Sequence, residues 1–182
     1  MSGLNEFIEG KKHNYIIVVM GVSGSGKTTI GEYLSHHLNF LFVEGDNYHS
    51  SSNKEKMKLG VPLNDEDRLP WLKSINEKLQ FEFFKNNRSI VLACSSLKKK
   101  YRDILKDGFS VNDFIFIYLD IEENEIKRRL EERKGHFFNP VLIKSQFNSL
   151  EEPSEGEGKG VIKLSLNHSI NILMERIISL LP

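Results

Sequence analysis

The chain has 182 residues, enough to bury one sizeable core, and its 25 basic and 25 acidic residues balance. That balance argues against a nucleic-acid partner or an anionic membrane surface, and no apolar run approaches membrane-spanning length. Residues 1–13 lack the apolar segment of a signal peptide. The single cysteine, Cys94, suits a reducing compartment and is expected in the core rather than as a nucleophile. We therefore expect one cytoplasmic domain over residues 1–182.

Five apolar, strand-like runs alternate with helical patterns along the chain. The runs cover residues 15–20, 40–43, 89–94, 114–119 and 161–164. Helical patterns follow residue 28 and cover residues 65–84, 98–106, 122–134, 141–150 and 169–181. This alternation predicts an α/β fold with a parallel sheet and helices on both of its faces.

The predicted topology also says where a ligand should bind. Ligands of such sheets gather at the carboxyl ends of the strands. Residues 21–28, 44–49 and 95–99 and the segment after Asp120 are therefore expected around one crevice. The loop 151–160 is polar and glycine-rich, and we expect it to be mobile and without a chemical role.

The most specific motif follows the first apolar run. Residues 21–28 read Gly-Val-Ser-Gly-Ser-Gly-Lys-Thr and fit the phosphate-binding pattern G-x-x-x-x-G-K-[ST] without a mismatch. In such a P-loop, backbone N–H groups and a helix N-terminus surround the phosphates, the lysine reaches the β- and γ-phosphates, and the threonine ligates Mg²⁺. A glycine-rich structural turn is the alternative, but the strand before and the helix after favour ATP binding. The predicted contacts are Gly21, Ser23, Gly24, Ser25, Gly26, Lys27, Thr28 and Thr29.

Two acidic residues follow the second apolar run. Glu44 and Asp46 are two residues apart, so on an extended chain their side chains would point to the same side, into the crevice. A carboxylate there can accept a proton from an attacking hydroxyl, or hold Mg²⁺ directly or through water. The alternative is a turn with ordinary solvated acids.

An arginine stands in the first turn of the second helical pattern, where the helix dipole disfavours positive charge. Asn64 and Asp65 are good caps for this helix, and Asp65, Asp67 and Arg68 cluster in its first turn. The planar guanidinium of Arg68 suits a bidentate carboxylate on a ligand. A local ion pair with Asp65 or Asp67 is the alternative.

The segment 127–136, which is rich in lysine and arginine, is typical of a lid over the nucleotide. Arg129 and Arg133 are four residues apart, so on a helix they share a face and can clamp adenine and phosphates. Gly135 would end the helix and let the chain turn. The alternative is an exposed helix whose arginines pair with neighbouring glutamates such as Glu125.

Taken together, these motifs resemble the gluconokinase family, in the family's order, over residues 15–153. The matching segments are the P-loop, Gly45-Asp46-x-x-His49, residues 53–72 with Pro62-Leu63-Asn64-Asp65-x-Asp67-Arg68, Cys94-Ser95-x-Leu97-Lys98-Lys99-x-Tyr101-Arg102-Asp103, Arg133-Lys134-Gly135-His136 and Gln146-Phe147-x-x-Leu150-Glu151. Two positions depart from the family pattern. Glu44 stands where many members carry Asp, and Ser96 fills a usually small, apolar position.

The resemblance implies a three-layer P-loop kinase fold with a twisted five-stranded parallel sheet, a substrate-binding segment over about 46–72 and a short lid over about 129–146. It implies transfer of the γ-phosphoryl group of ATP, with Mg²⁺, to the 6-hydroxyl of D-gluconate, in a pathway that feeds the pentose phosphate route. The implied catalytic residues are Lys27, Asp46 and Arg133; the implied lid contacts to ATP are Arg129 and Arg133; the implied substrate contacts are Asp46, His49, Arg68, Lys98, Lys99 and His136; and the implied metal contacts are Thr28 and Glu44.

Three other functions stay open at this point. Another small-molecule kinase, such as a shikimate kinase, would also want a strand-end aspartate and an arginine, although residues 56–71 follow the gluconokinase pattern closely. A nucleoside-monophosphate kinase would need a larger substrate-binding insertion. A non-catalytic, nucleotide-gated binding protein would need neither Asp46 nor the lid arginines. We expect a small-molecule partner and no nucleic-acid or membrane partner, and a homodimer is left open because dimers are common among small enzymes.

Overall fold

A computed structural model describes residues 13–132, 140–165 and 170–181. The strands are β1 (Ile16–Met20), β2 (Leu41–Glu44), β3 (Ile90–Ala93), β4 (Phe114–Asp120) and β5 (Gly160–Ser165). The helices are α1 (Lys27–Leu38), α2 (Ser51–Lys58), α3 (Asp65–Gln80), α4 (Lys99–Lys106), α5 (Glu123–Glu132), α6 (Pro140–Ser149) and α7 (Ile170–Leu180). Two 3₁₀ turns cover Gly45–Tyr48 and Val111–Asp113, and a π-helical turn (Phe81–Lys85) extends α3.

The strands form one parallel sheet in the order β2-β3-β1-β4-β5. The central strand β1 is completely buried, because neighbouring strands flank both of its edges and helices cover both of its faces. The predicted α/β class, with five parallel strands and helices on both faces, is therefore confirmed.

Alternate residues of β1 belong to different cores, as the two-residue repeat of a strand requires. Ile16, Val18 and Met20 pack with side chains of α3 and α4 on one face. Ile17 and Val19 pack with side chains of α1 and α7 on the other face. A third, smaller cluster lies at the carboxyl end of the sheet and joins Val22, Leu97, Ile121, Ile126 and Ile143. Through this cluster, α5 and α6 are held beside the glycine-rich loop after β1.

Two regions differ from the prediction. The 3₁₀ turn and α2 fill residues 45–58, where no helix was predicted, because the segment lacks an apolar stripe. The loop 151–160, expected to be mobile, is instead anchored: Glu157 is 5% exposed and is bonded to the buried Arg102. No helix among the described ranges is long and apolar enough to cross a membrane.

Candidate active site

The loop between β1 and α1 has the backbone geometry of an anion cradle. Gly21, Gly24 and Gly26 have φ angles of 145°, 81° and 98°, which disfavour residues with a side chain. α1 begins at Lys27 with no side-chain cap, and a Cβ added to Gly26 would meet nothing within 4 Å. Within the described residues the N–H groups of Gly24, Gly26 and Lys27 donate to no backbone acceptor. The loop therefore fits a phosphate, whose oxygens would accept from these groups.

Two side chains of this loop, those of Ser25 and Lys27, pack within the loop itself. Ser25 is completely buried, and its Oγ has no hydrogen-bond partner in the described part of the chain. Lys27 Nζ donates to the carbonyl oxygen of Val22 at 3.0 Å, so the lysine lies back against the start of the loop. Burial lowers the pKa of Lys27, and the nearby Asp46 carboxylate opposes that shift. A bound polyphosphate would favour the charged ammonium in the same way as Asp46 does.

Glu44, the last residue of β2, links the P-loop helix to the turn that carries Asp46. Thr28 Oγ1 donates to Glu44 Oε2 at 2.7 Å, and the backbone N–H of Asp46 donates to Glu44 Oε1 at 3.3 Å. The expectation that Glu44 and Asp46 lie on one extended strand is wrong, because the chain turns into a 3₁₀ helix at Gly45. Both carboxylates nevertheless lie beside the P-loop.

Trp71 of α3 supports the turn that carries Asp46. Trp71 Nε1 donates to the carbonyl oxygen of Gly45 at 2.8 Å, and the indole stacks on His49 with ring centroids 4.1 Å apart. His49 Nε2 lies 3.9 Å from Asp46 Oδ1, and its buried Nδ1 has no partner among the described residues. Burial, helped by the nearby Arg68 charge, lowers the pKa of His49 to about 4, against the pull of Asp46. His49 is therefore neutral near pH 7, and it lines the cavity beside Asp46.

Arg68 forms no ion pair with Asp65 or Asp67, so that alternative is wrong. Asp65 accepts from Lys98, Lys100 and Tyr101 instead. Asp67 accepts from Lys56 Nζ at 2.7 Å and closes a capping box with Asn64. Arg68 Nε donates to the Leu63 carbonyl oxygen at 3.3 Å, and within the described chain its two terminal nitrogens make no hydrogen bond. The guanidinium therefore offers its fork to the cavity that it lines.

These groups surround one cavity of about 390 Å³ at the carboxyl ends of the strands. From the predicted site it brings together Ser23, Gly24, Gly26, Lys27, Thr28, Thr29, Asp46, His49 and Arg68. The phosphate cradle therefore shares a cavity with a carboxylate, a neutral imidazole and a guanidinium. That arrangement can hold a triphosphate beside a small hydroxy acid.

Comparison with known proteins shows to which family of small-molecule kinases the chain belongs. The chain is 41% identical over 177 residues to a probable gluconokinase of Dictyostelium discoideum, covering 94% of this chain and 88% of that protein. It is 42% identical over 159 residues to the thermosensitive gluconokinase of Escherichia coli (strain K12), covering 87% of this chain and 83% of that protein. The chain belongs to the gluconokinase family.

Other comparisons show a scaffold shared with related kinases. A family profile described as shikimate kinase matches residues 23–158. A solved gluconokinase from Sinorhizobium meliloti 1021 is 33% identical, with a TM-score of 0.78 and coverage of 93% of this chain and 92% of that chain. A shikimate kinase from Acinetobacter baumannii is 16% identical with a TM-score of 0.53, which shows the fold alone. The gluconokinase relatives therefore define the family within this wider group of kinases.

Several residues predicted from the gluconokinase motifs do not line the cavity. Lys98 Nζ donates to Asp65 at 3.0 Å, and Lys99 Nζ donates to Asp103 at 2.7 Å. Neither lysine lines the cavity, although the sequence predicted that both contact the substrate. Gly21, Ser25 and Glu44 support the cavity from behind its lining.

The lid residues are only partly described. Arg129 Nε donates to Glu125 Oε1 at 2.7 Å, and Arg128 pairs with Glu125 and Glu132. This is the exposed ion-paired helix named above as the alternative to a nucleotide clamp. Arg133, Gly135 and His136 lie outside the described residues.

Other residues line the cavity although no role was predicted for them. They are Met57, Pro62, Leu63, Ser95, Leu130, Leu142, Ile143, Ser145 and Gln146. Met57, Pro62, Leu63, Ser95 and Gln146 stand within the gluconokinase motifs, and that was the available signal for them. Leu130, Leu142 and Ile143 carry no such signal, because an apolar residue that lines a cavity has the same sequence pattern as one in the core.

Proposed function

We propose that this chain transfers the γ-phosphoryl group of ATP to the 6-hydroxyl of D-gluconate, giving 6-phospho-D-gluconate and ADP. The observation that carries the proposal is the shared cavity, in which the P-loop faces Asp46 and Arg68, whose two terminal nitrogens make no hydrogen bond to the described residues. Relatives named gluconokinase, at 41% and 42% identity over most of the chain, support the choice of substrate.

At the nucleotide end, the free N–H groups of the P-loop would hold the phosphates together with Lys27, Thr28 and Thr29. Ser25 is buried behind the cavity lining, so a contact between Ser25 and ATP stays a prediction. The lid arginines Arg129 and Arg133 and the lid residue His136 stay predictions.

The donor set at the P-loop suits Mg²⁺ bound mainly through the nucleotide. Among the described residues no three His, Cys, Asp or Glu side chains form a metal cluster. Thr28 Oγ1 and the Glu44 carboxylate, 2.7 Å apart, supply the oxygens that Mg²⁺ prefers. When bound there, Mg²⁺ would neutralise charge on the phosphates, with Glu44 reaching it directly or through water.

At the acceptor end, Arg68 and Asp46 would hold opposite ends of the gluconate chain. The Arg68 fork would bind the carboxylate, and Asp46 would orient the 6-hydroxyl. As the hydroxyl oxygen bonds to the γ-phosphorus, its proton passes to an Asp46 oxygen while the bond to the ADP oxygen breaks. The Asp46 side chain is 70% exposed, so it is open to a substrate, and the neutral His49 ring would bond a further hydroxyl. Positioning and charge neutralisation would then account for most of the rate.

The proposal is tested by ADP release from ATP and Mg²⁺ in the presence of D-gluconate, shikimate, glucose, AMP or no acceptor. We expect strong release with gluconate alone. Release with shikimate instead would favour the second candidate, a shikimate kinase, whose family profile matches residues 23–158. ATP binding without acceptor-dependent release would indicate a nucleotide-gated binding protein. The cytoplasmic location and a homodimer stay predictions from the sequence.

A further inference from the structure

Gln146 of α6 binds the P-loop through both the oxygen and the nitrogen of its side-chain amide. Its Oε1 accepts from the backbone N–H of Ser23 at 2.7 Å, and its Nε2 donates to Ser23 Oγ at 3.1 Å. Both residues line the cavity. An amide nitrogen has two N–H groups, and among the described residues the second N–H of Gln146 has no acceptor. The side chain therefore brings a neutral group with one free donor to the edge of the phosphate cradle.

The helix that carries Gln146 is fixed on both sides of this contact. Ile143 is buried against Val22 at the start of the P-loop, and Phe147 packs on the same cluster. One turn further on, the N–H of Glu151 donates to the Leu97 carbonyl oxygen at 2.7 Å. The position of Gln146 is therefore set by α6 packing, and not by the bond to Ser23 alone.

The contact to Ser23 lies at the γ-phosphate end of the cradle. P-loop lysines reach the β- and γ-phosphates. Here Lys27 Nζ lies 3.0 Å from the carbonyl oxygen of Val22, directly before Ser23. The start of the loop is therefore the part nearest the transferred phosphoryl group. Because Gln146 occupies the Ser23 N–H, the free amides of the cradle begin at Gly24.

We propose that Gln146 is an ATP-binding residue that recognises the γ-phosphate: it holds Ser23 in place and donates its remaining N–H to a γ-phosphate oxygen. The proposal rests on the ATP half of the proposed function and is independent of the acceptor. It requires a neutral side chain at this position. A carboxylate could still accept hydrogen bonds from the Ser23 N–H and from the Ser23 hydroxyl. It would, however, place a negative charge beside the phosphate.

The test is the substitution Gln146→Glu, with dissociation constants for AMPPNP and ADP measured by calorimetry in the presence of Mg²⁺ and without acceptor. Two charges at contact distance near a protein surface interact strongly, so we expect AMPPNP binding to weaken by about tenfold or more. We expect ADP, which lacks the γ-phosphate, to change by less than about threefold. Equal weakening of both nucleotides, or no weakening of either, would overturn the proposal.

Asn148→Asp is the matched control. It makes the same amide-to-carboxylate change on the same helix, at an exposed position that does not line the cavity. Both dissociation constants should stay at the wild-type values. Thermal unfolding of each variant checks the fold.

If Gln146→Glu does not fold, Gln146→Ala decides the matter, because it removes the donor without adding charge. We expect the ratio of AMPPNP to ADP affinity to fall by about 10- to 100-fold, which is the loss of one hydrogen bond to a charged group. An unchanged ratio would overturn the proposal. A failure of the proposed gluconate activity would appear in the wild-type protein as absent ADP release, and would leave these nucleotide ratios unaffected.

Discussion

Arg102 and Glu157 form a buried, two-pronged ion pair behind the cavity. Arg102 Nε and Nη2 donate to the two Glu157 oxygens at 2.7 and 3.0 Å, and the side chains are 0% and 6% exposed. The remaining nitrogen, Nη1, donates to the carbonyl oxygens of Ser96 and Glu151 at 3.0 and 2.9 Å. One arginine therefore joins α4 to the loop after β3, the end of α6 and the loop before β5. Through Ser96 and Glu151 it supports two segments that border the cavity.

Removing one member of this pair should destabilise the fold. In Glu157→Gln the guanidinium stays buried without its counter-charge, and breaking a buried pair in this way costs about 3–5 kcal/mol. Urea unfolding followed by circular dichroism measures the loss. Glu132→Gln, which breaks the exposed pair with Arg128, is the control and should leave the unfolding midpoint unchanged. Equal midpoints for wild type and Glu157→Gln would contradict a stabilising role.

The same pair predicts a specific loss of stability in acid. Burial raises the pKa of Glu157, but the bonds from Arg102 and Ser154 outweigh burial and lower it from 4.5 to about 2. A depressed carboxyl pKa stabilises the folded state above the unfolded pKa, and that contribution is lost as pH falls from 4.5 toward 2. The stability difference between wild type and Glu157→Gln should therefore shrink across this range in urea titrations. A constant difference from pH 6 to pH 2 would be inconsistent with this shift.

Gly45 allows the turn that carries Asp46 to pass close to β3. A Cβ at this position would lie 2.7 Å from the Ala93 carbonyl oxygen, which is backbone and cannot move aside easily. Gly45→Ala should cost about 1–3 kcal/mol in unfolding free energy and lower turnover, because Asp46 is displaced. Gly31→Ala is the comparison: its Cβ would meet only the edge of the Phe42 ring, which can rotate, so a smaller loss is expected. A larger loss in Gly31→Ala would contradict the steric argument.

Arg68→Lys should weaken the binding of gluconate without changing the binding of ATP. Lysine keeps the charge but loses the fork, and one charged hydrogen bond corresponds to about a 10- to 100-fold change in affinity. We expect the KM for gluconate to rise by about that factor, with the dissociation constant for ATP within about twofold of wild type. Steady-state kinetics and calorimetry measure the two quantities. Arg88→Lys, an exposed change that does not touch the cavity, should alter neither. An unchanged KM for gluconate in Arg68→Lys would remove Arg68 from the acceptor site.

Asp46→Asn should remove the proposed proton acceptor and keep the shape of the site. General base catalysis contributes about 10²- to 10⁴-fold to a rate, so kcat should fall within that range while ATP still binds. Asp107→Asn makes the same change at an exposed turn outside the cavity and should leave kcat unchanged. Unchanged turnover in Asp46→Asn would end its assignment as the base.

The parts of the fold that could be predicted are those encoded locally. The apolar run 15–20 becomes β1 (Ile16–Met20), and the glycine spacing after it becomes the P-loop. α2 could not be predicted, because its sequence Ser51–Lys58 has no apolar stripe. It forms because Ser50 caps it and because Asn53 and Lys56 bind Asp67 on α3.

The parts of the site that could not be predicted depend on tertiary partners. Whether Arg68 pairs with Asp65 or Asp67 depends on which lysines bind those carboxylates, and the sequence alone left both possibilities open. The loop that contains Glu157 has the composition of a mobile loop, and its partner Arg102 is 55 residues away in the chain. Local patterns carry no information about such a pairing.

The position of the phosphate in the product is the most direct test of gluconate 6-phosphorylation by this chain. Wild-type protein would be incubated with ATP, Mg²⁺ and D-gluconate, and the product examined by phosphorus–proton correlation NMR. We expect one phosphate ester that couples to the two protons on C6, because the proposed contact of Arg68 to the carboxylate would hold the other end of the molecule. An ester at any other carbon, or no ester while ATP is bound, would contradict it.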